Sequence, residues 1–127
     1  IKENHLDTFG HVNNATYLEL YEQARWEFIT KNGYGLEDIM KNKKGPVILN
    51  INISFKVELK NREKITIEST PKEMKNELVM VLEQRMLLES GKVASVIELE
   101  IGLMDLSKRK LVRSDTQWLK AVGFSQY

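Results

Sequence analysis

The sequence of 127 residues predicts one α+β domain, a long antiparallel sheet wrapped around one central helix. Three observations carry that expectation. Tyr17, Leu20, Tyr21, Ala24 and Phe28 recur at spacings of three and four, which builds one apolar helix face. Val47, Leu49, Ile51, Ile53, Phe55, Val57 and Leu59 occupy every second position, with Asn50, Asn52, Ser54, Lys56 and Glu58 between them. That period of two belongs to a strand with one buried face. Short polar turns then separate three further apolar runs, and short turns force antiparallel neighbours.

The elements follow in order. Residues 1–5 read as the tail of a strand, so that the first strand of the domain would begin before Ile1. Residues 6–13 form a turn-like segment with Gly10 as its flexible point. The long helix spans residues 14–31, with Asn13 or Asn14 as N-cap and Asn32-Gly33 as its stop. Glu19, Glu22, Gln23, Glu27 and Lys31 mostly lie off its apolar face. A second helix covers residues 36–43, with Leu36, Ile39 and Met40 on one side, and Gly45-Pro46 ends it. Strands are expected from Val47 to Leu59 and over residues 64–72, 77–88 and 93–103, with turns at Asn61-Arg62, Lys75-Asn76 and Ser90-Gly91. Residues 105–110 are a polar turn, and a short helix over residues 115–122 closes the chain with Trp118, Leu119 and Val122 as anchors. The first helix is the one element long enough to cover the sheet. No linker or repeat divides residues 1–127.

Composition narrows the function. A hydrophobic share of 42% supports a real core. Nineteen basic and eighteen acidic side chains leave a net charge of +1, which argues against a dedicated nucleic-acid binder but leaves room for a small anionic ligand. The absence of cysteine excludes disulfides, Cys-based zinc sites and Cys nucleophiles, and it fits a reducing compartment; a cytoplasmic location is the expectation. The longest apolar runs are too short to span a bilayer, so no membrane partner is expected. There is no Gly-rich phosphate loop, dinucleotide fingerprint or metal-ligand cluster, so no metal is expected.

Residues 7–14, Asp-Thr-Phe-Gly-His-Val-Asn-Asn, carry the chemistry. Asp7 is a carboxylate seven residues before a helix start, with a glycine between. A helix N-terminus presents unpaired N–H donors and a partial positive charge, which can hold an oxyanion formed on a carbonyl. A carboxylate beside it can serve as nucleophile or as general base toward water. Together they make a minimal acyl-transfer site without metal, Ser or Cys. Spacing alone does not decide this, because Asp-Thr-Phe-Gly is also an ordinary turn.

Asp7 through Tyr17, continuing through Glu22, Ala24 and Arg25, resembles the signature of the 4-hydroxybenzoyl-CoA thioesterase family of hotdog proteins. The order of one long helix and then antiparallel strands matches as well, and the resemblance covers essentially the whole chain apart from most of the family's first strand. It implies an acyl-CoA thioesterase. Asp7 then matches the catalytic carboxylate, Asn14 the residue whose backbone N–H polarises the thioester carbonyl, and Gly10 the turn glycine of close backbone approach. His11, Val12 and Asn13 follow as in many acyl-CoA members. The resemblance also implies active sites between subunits, hence a homodimer or homotetramer, and CoA as the substrate's carrier with no retained cofactor.

Other residues have two readings each. His11 either transfers a proton or orients the loop. Asn13 caps the helix or touches the acyl group. Glu22 occupies the kind of helix position another hotdog branch uses for catalysis, but with Asp7 present it reads as a partner of Arg25 or as packing beside Trp26. Tyr17, Tyr21 and Trp26 read first as core or interface aromatics, and their size also allows them to shape an acyl pocket, with Tyr17 the one taken as a substrate contact. Lys56, Lys60, Arg62 and Lys64 cluster around one turn, either a solvated strand end or a contact for CoA phosphates. Lys108, Arg109 and Lys110 read as a solvated turn. Met40, Met80, Met86 and Met104 suit a fatty acyl chain or plain core filling. Two other functions use the same fold. The Asn13-Asn14 pair partly resembles acyl-ACP thioesterases, which usually fuse two such units. A non-catalytic acyl-CoA-binding protein would have no use for Asp7. A hotdog dehydratase would carry a His-containing helix motif that is absent here.

Overall fold

The structure, a computed structural model, describes residues 14–59 and 63–124. Helix α1 (Asn14–Lys31) is followed by α2 (Leu36–Asn42), then strands β1 (Lys44–Phe55), β2 (Ile65–Met74), β3 (Val79–Leu88), β4 (Val93–Asp105) and β5 (Lys110–Val112), and last α3 (Thr116–Ala121). All strand pairs are antiparallel, in the order β1-β4-β3-β2. The turns between β2 and β3 and between β3 and β4 do make neighbours, as their length requires. The connection between β1 and β2 does not. After Phe55 the chain leaves the sheet, with the N–H groups of Lys56 and Val57 both donating to Ala94 O at 2.9 and 3.1 Å. β1 pairs with β4 instead, because the thirteen-residue β4 offers a partner for its whole length. The short β5, which the sequence did not indicate and which begins at the last residue of the expected turn, takes the position beside Leu103–Asp105 that β3 vacates at Val79.

A bulge corrects the simple alternation expected for β1. Register shifts between Ile48 and Asn50, leaving Leu49 as the extra residue. Before it, Pro46 and Ile48 lie beside Leu103 and Ile101; after it, Ile51 and Ile53 lie beside Leu99 and Ile97. The face toward α1 therefore changes from even to odd residue numbers. Val47 and Leu49 belong to the other face, where Leu49 lies near Gly102. Pro46 is tolerated because β1 is an edge strand, with no further strand beyond it among the described residues.

Tyr17, Tyr21 and Ile29 of α1 join Met80, Leu82, Met86, Ile97, Leu99, Ile101 and Leu103 of the sheet in one buried cluster. α1 stops as expected: Gly33 adopts φ +103, a left-handed conformation that favours glycine, while Tyr34 N–H donates back to Ile29 O at 3.1 Å. α3 closes the end of the core. Asp115 caps it by accepting from Trp118 N–H at 2.8 Å, and Asn32 ties the end of α1 to it by donating to Ala121 O at 3.0 Å. The 105–110 turn is held by Asp105 Oδ1, which accepts from the N–H groups of Ser107 and Lys108. No described helix is long and apolar enough to cross a membrane.

Candidate active site

α1 begins at Asn14, so a helix N-terminus stands where the sequence places the oxyanion donor. Asp7, Gly10, His11, Val12 and Asn13 lie outside the described residues, as do Lys60 and Arg62. Of the expected site residues, the structure places Asn14, Tyr17 and Lys56.

Tyr17 lies almost one turn into α1 and is 3% exposed. Its hydroxyl accepts from Leu59 N–H at 3.2 Å, and its ring meets Phe55 edge-on at 4.8 Å. Burial raises its pKa, and the Leu59 N–H opposes that rise by holding the oxygen. The tyrosine thus pins the chain that leaves β1 to the first turns of α1. Lys56 sits at that exit with its side chain exposed, and so does Lys64 just before β2. The basic side chains that the structure places around this connection are therefore in solvent close to the start of α1.

The flank of α1 beside β1 borders a cleft of about 400 Å³. Leu18, Glu22, Arg25, Trp26 and Ile29 form one wall, and Pro46, Ile48, Ile51, Ile97 and Ile101 the other. Most of this surface is apolar, and two charged groups interrupt it. Arg25 donates to Gln84 Oε1 at 3.0 Å. Gln84 is fully buried, and its Nε2 donates to Tyr21 O at 3.2 Å and Ser69 Oγ at 3.1 Å. The amide therefore fixes the guanidinium from the core side. Burial lowers the Arg25 pKa, and the negative charge of Glu22 opposes the shift. Glu22 and Arg25 share the cleft, but the hydrogen bond of Arg25 goes to Gln84. The cleft walls carry isoleucine and not methionine: Met80 and Met86 are core residues, and Met40 is exposed on α2. A second, more open hollow of about 670 Å³ lies by Met74, Arg113 and Leu119, beside the start of α3.

Sequence reasoning missed this cleft for two reasons. Leu18, Arg25 and Ile29 form a second stripe along α1, readable from spacings of seven and four but masked by the stronger Tyr17–Phe28 stripe. On β1, the bulge at Leu49 hid that Pro46 and Ile48 face the helix.

Tyr21, beside this network, gives a test of the core. Its hydroxyl is buried without a hydrogen bond of good geometry among the described residues. Burial pushes its pKa from 10.0 to about 12, which the nearby Ser95 hydroxyl offsets in part. Between those values the unfolded chain loses the phenolic proton first, so stability falls as pH rises. Tyr21→Phe is expected to remove that part of the alkaline loss and to leave neutral-pH stability unchanged or up to about 1 kcal/mol higher. Urea midpoints across the alkaline range would read it; an unchanged pH profile contradicts the assignment.

The profile of the thioesterase-like superfamily matches residues 2–122, a span that contains the Asp7–Asn14 segment. The chain belongs to that superfamily. Within the thioesterase-like superfamily, the long-chain acyl-CoA thioesterase FadM of Escherichia coli (strain K12) is 31% identical over 111 residues, which are 87% of this chain and 83% of FadM. Among solved structures, the probable thioesterase YbaW from Escherichia coli matches with a TM-score of 0.84 at 27% identity, over 96% of this chain and 91% of YbaW. SAV2348 from Staphylococcus aureus, solved in complex with CoA, matches with a TM-score of 0.88 at 15% identity, over 96% and 77%, a likeness of fold alone. The fold is thus the hotdog of the thioesterase-like superfamily, and the family's reaction class is thioester hydrolysis.

Proposed function

We propose that this protein hydrolyses acyl-CoA thioesters to free acid and CoA, with Asp7 as nucleophile or general base and the Asn14 N–H as oxyanion donor. The observation that carries the reading is the start of α1 at Asn14, seven residues after the lone carboxylate of the motif. The thioester carbonyl rests on the helix N-terminus, whose partial positive charge grows in value as the oxygen gains negative charge. Asp7 attacks the carbonyl carbon or takes a proton from the attacking water. CoA leaves as the thiol and serves as substrate carrier only. Lys56, with Lys60 and Arg62, faces its phosphates as a loose electrostatic contact. The name of FadM and the apolar walls of the cleft both support an aliphatic acyl chain of some length.

The test is thiol release from a chain-length series of acyl-CoAs alongside acyl-ACP. Turnover is expected on the CoA series, rising with chain length. Binding of the whole series without release of thiol would instead mark a binding protein.

The proposal includes a homodimer or homotetramer. Its support is the open edge of β1, where Ile48, Leu49, Ile51 and Phe55 are each more than a third exposed although they belong to an apolar strand. Such an edge is normally covered by another strand. Ile51, 44% exposed, is the point to disrupt. Ile51→Lys is expected to shift the mass measured by light scattering to that of one chain; an unchanged oligomer would place the interface elsewhere.

A further inference from the structure

The cleft between α1 and β1 is apolar except at one level, where Glu22 and Arg25 enter it. A plain hydrocarbon chain does not need them there. Among the described residues, Arg25 has Gln84 as its one hydrogen-bond partner, although a guanidinium has five N–H donors in a fixed fork. Gln84 is neutral and fully buried, so it orients the cation without neutralising it. Arg25 is half-buried in a wall that includes Ile, Leu and Trp, and its remaining donors are available to a polar group that enters the cleft. We propose that Arg25 is a specificity-determining residue, which recognises a hydroxyl carried on the distal part of the acyl chain.

The charge balance selects a hydroxyl over a second carboxylate. Glu22 borders the same cleft, so the local charges of Glu22 and Arg25 sum to zero. A hydroxyl accepts from Arg25 and donates to Glu22, whereas a carboxylate would meet Glu22 as a like charge. The helix supplies the ruler. Arg25 is eleven residues past Asn14, roughly 16 Å along the axis at a rise of about 1.5 Å per residue. An extended chain advances roughly 1.2 Å per bond, so the hydroxyl belongs about a dozen bonds from the carbonyl. The inference rests on the proposed placement of the thioester at the start of α1 and adds the chemistry of the chain's far end.

The experiment compares dodecanoyl-CoA with its ω-hydroxy, β-hydroxy and ω-carboxy counterparts. The ω-hydroxy substrate is expected to exceed the plain one in kcat/KM by roughly tenfold, mostly through KM, since its hydrogen bond is to a charged group. The β-hydroxy and ω-carboxy substrates should gain nothing comparable. In Arg25→Met the ω-hydroxy to plain ratio should fall to about one, and Arg25→Lys should keep part of it. A wild-type ratio near one, a ratio that survives in folded Arg25→Met, or a preference for the ω-carboxy substrate would overturn the proposal. Calorimetric binding of ω-hydroxydodecanoic and dodecanoic acids to the wild-type protein reads the same preference without turnover or a variant. Loss of hydrolysis on every thioester with that preference intact defeats the proposed activity alone. Turnover with equal binding of the two acids defeats the role of Arg25 alone.

Discussion

Replacing Asp7 by Asn is expected to lower the rate of acyl-CoA hydrolysis by roughly 10²–10⁴-fold, the range for losing a positioned acid or base. The amide keeps the size and hydrogen-bonding capacity of the side chain but can neither take a proton from water nor form an anhydride with the acyl group. The oxyanion donor proposed above is a backbone N–H, that of Asn14, so under this mechanism it survives the change and leaves a residual rate. Substrate binding should change far less than kcat, because the cleft wall from Leu18 to Ile29 is untouched. The measurement is thiol release at saturating acyl-CoA, with circular dichroism and denaturation midpoints to show that the fold is intact. Full activity of Asp7→Asn on every thioester tried would falsify the mechanism. The same change in Glu22 separates the two carboxylates: Glu22→Gln should retain most of the turnover of plain acyl chains if Asp7 is the reacting group.

The largest effect on stability is expected at Trp118. The indole is fully buried, and its ring meets Tyr34 edge-on at 5.6 Å, while the Tyr34 hydroxyl donates to Lys44 O at the start of β1. One side chain of α3 thereby joins the segment after α1, the first residue of β1 and the end of the core. Trp118→Ala removes a large buried apolar group and leaves a cavity, one side of which Tyr34 holds in place through its bond to Lys44 O, a loss of about 3–5 kcal/mol. Against a domain stability of about 5–15 kcal/mol, that is a large fraction. The buried Nε1 has no hydrogen-bond partner among the described residues, so removing it gives back a little of the loss. Trp118→Phe keeps most of the ring and should lose less than half as much. Urea denaturation followed by circular dichroism reads both, and a midpoint for Trp118→Ala equal to the wild type would contradict this account of the core.

Several elements were legible because their cause is local. The Tyr17–Phe28 stripe produces α1 over the span its spacing indicates, and the left-handed Gly33 ends it. The polar turns at Lys75-Asn76 and Ser90-Gly91 lead to the β2–β3 and β3–β4 pairings because a short turn leaves no other choice. Trp118, Leu119 and Val122 are buried as their apolar character demands. The motif at residues 7–14 was legible for a different reason. Its sequence resembles a known family, and the superfamily match over residues 2–122 establishes the membership.

What the sequence by itself determined is therefore the helices and the four long strands, the family, and the spacing in the chain between Asp7 and a helix start at Asn14. Tertiary structure decided which elements meet. The partner of β1 depended on the chain leaving the sheet after Phe55, where Ala94 and Tyr17, both distant in sequence, hold Lys56, Val57 and Leu59. The side of β1 that faces α1 depended on the bulge at Leu49, which exists only relative to β4. The setting of Arg25 depended on Gln84, fifty-nine residues away. Periodicity reports which residues prefer burial, since each side chain responds to its own contact with water. It cannot report against what they are buried, because that is settled by pairing and packing across the chain.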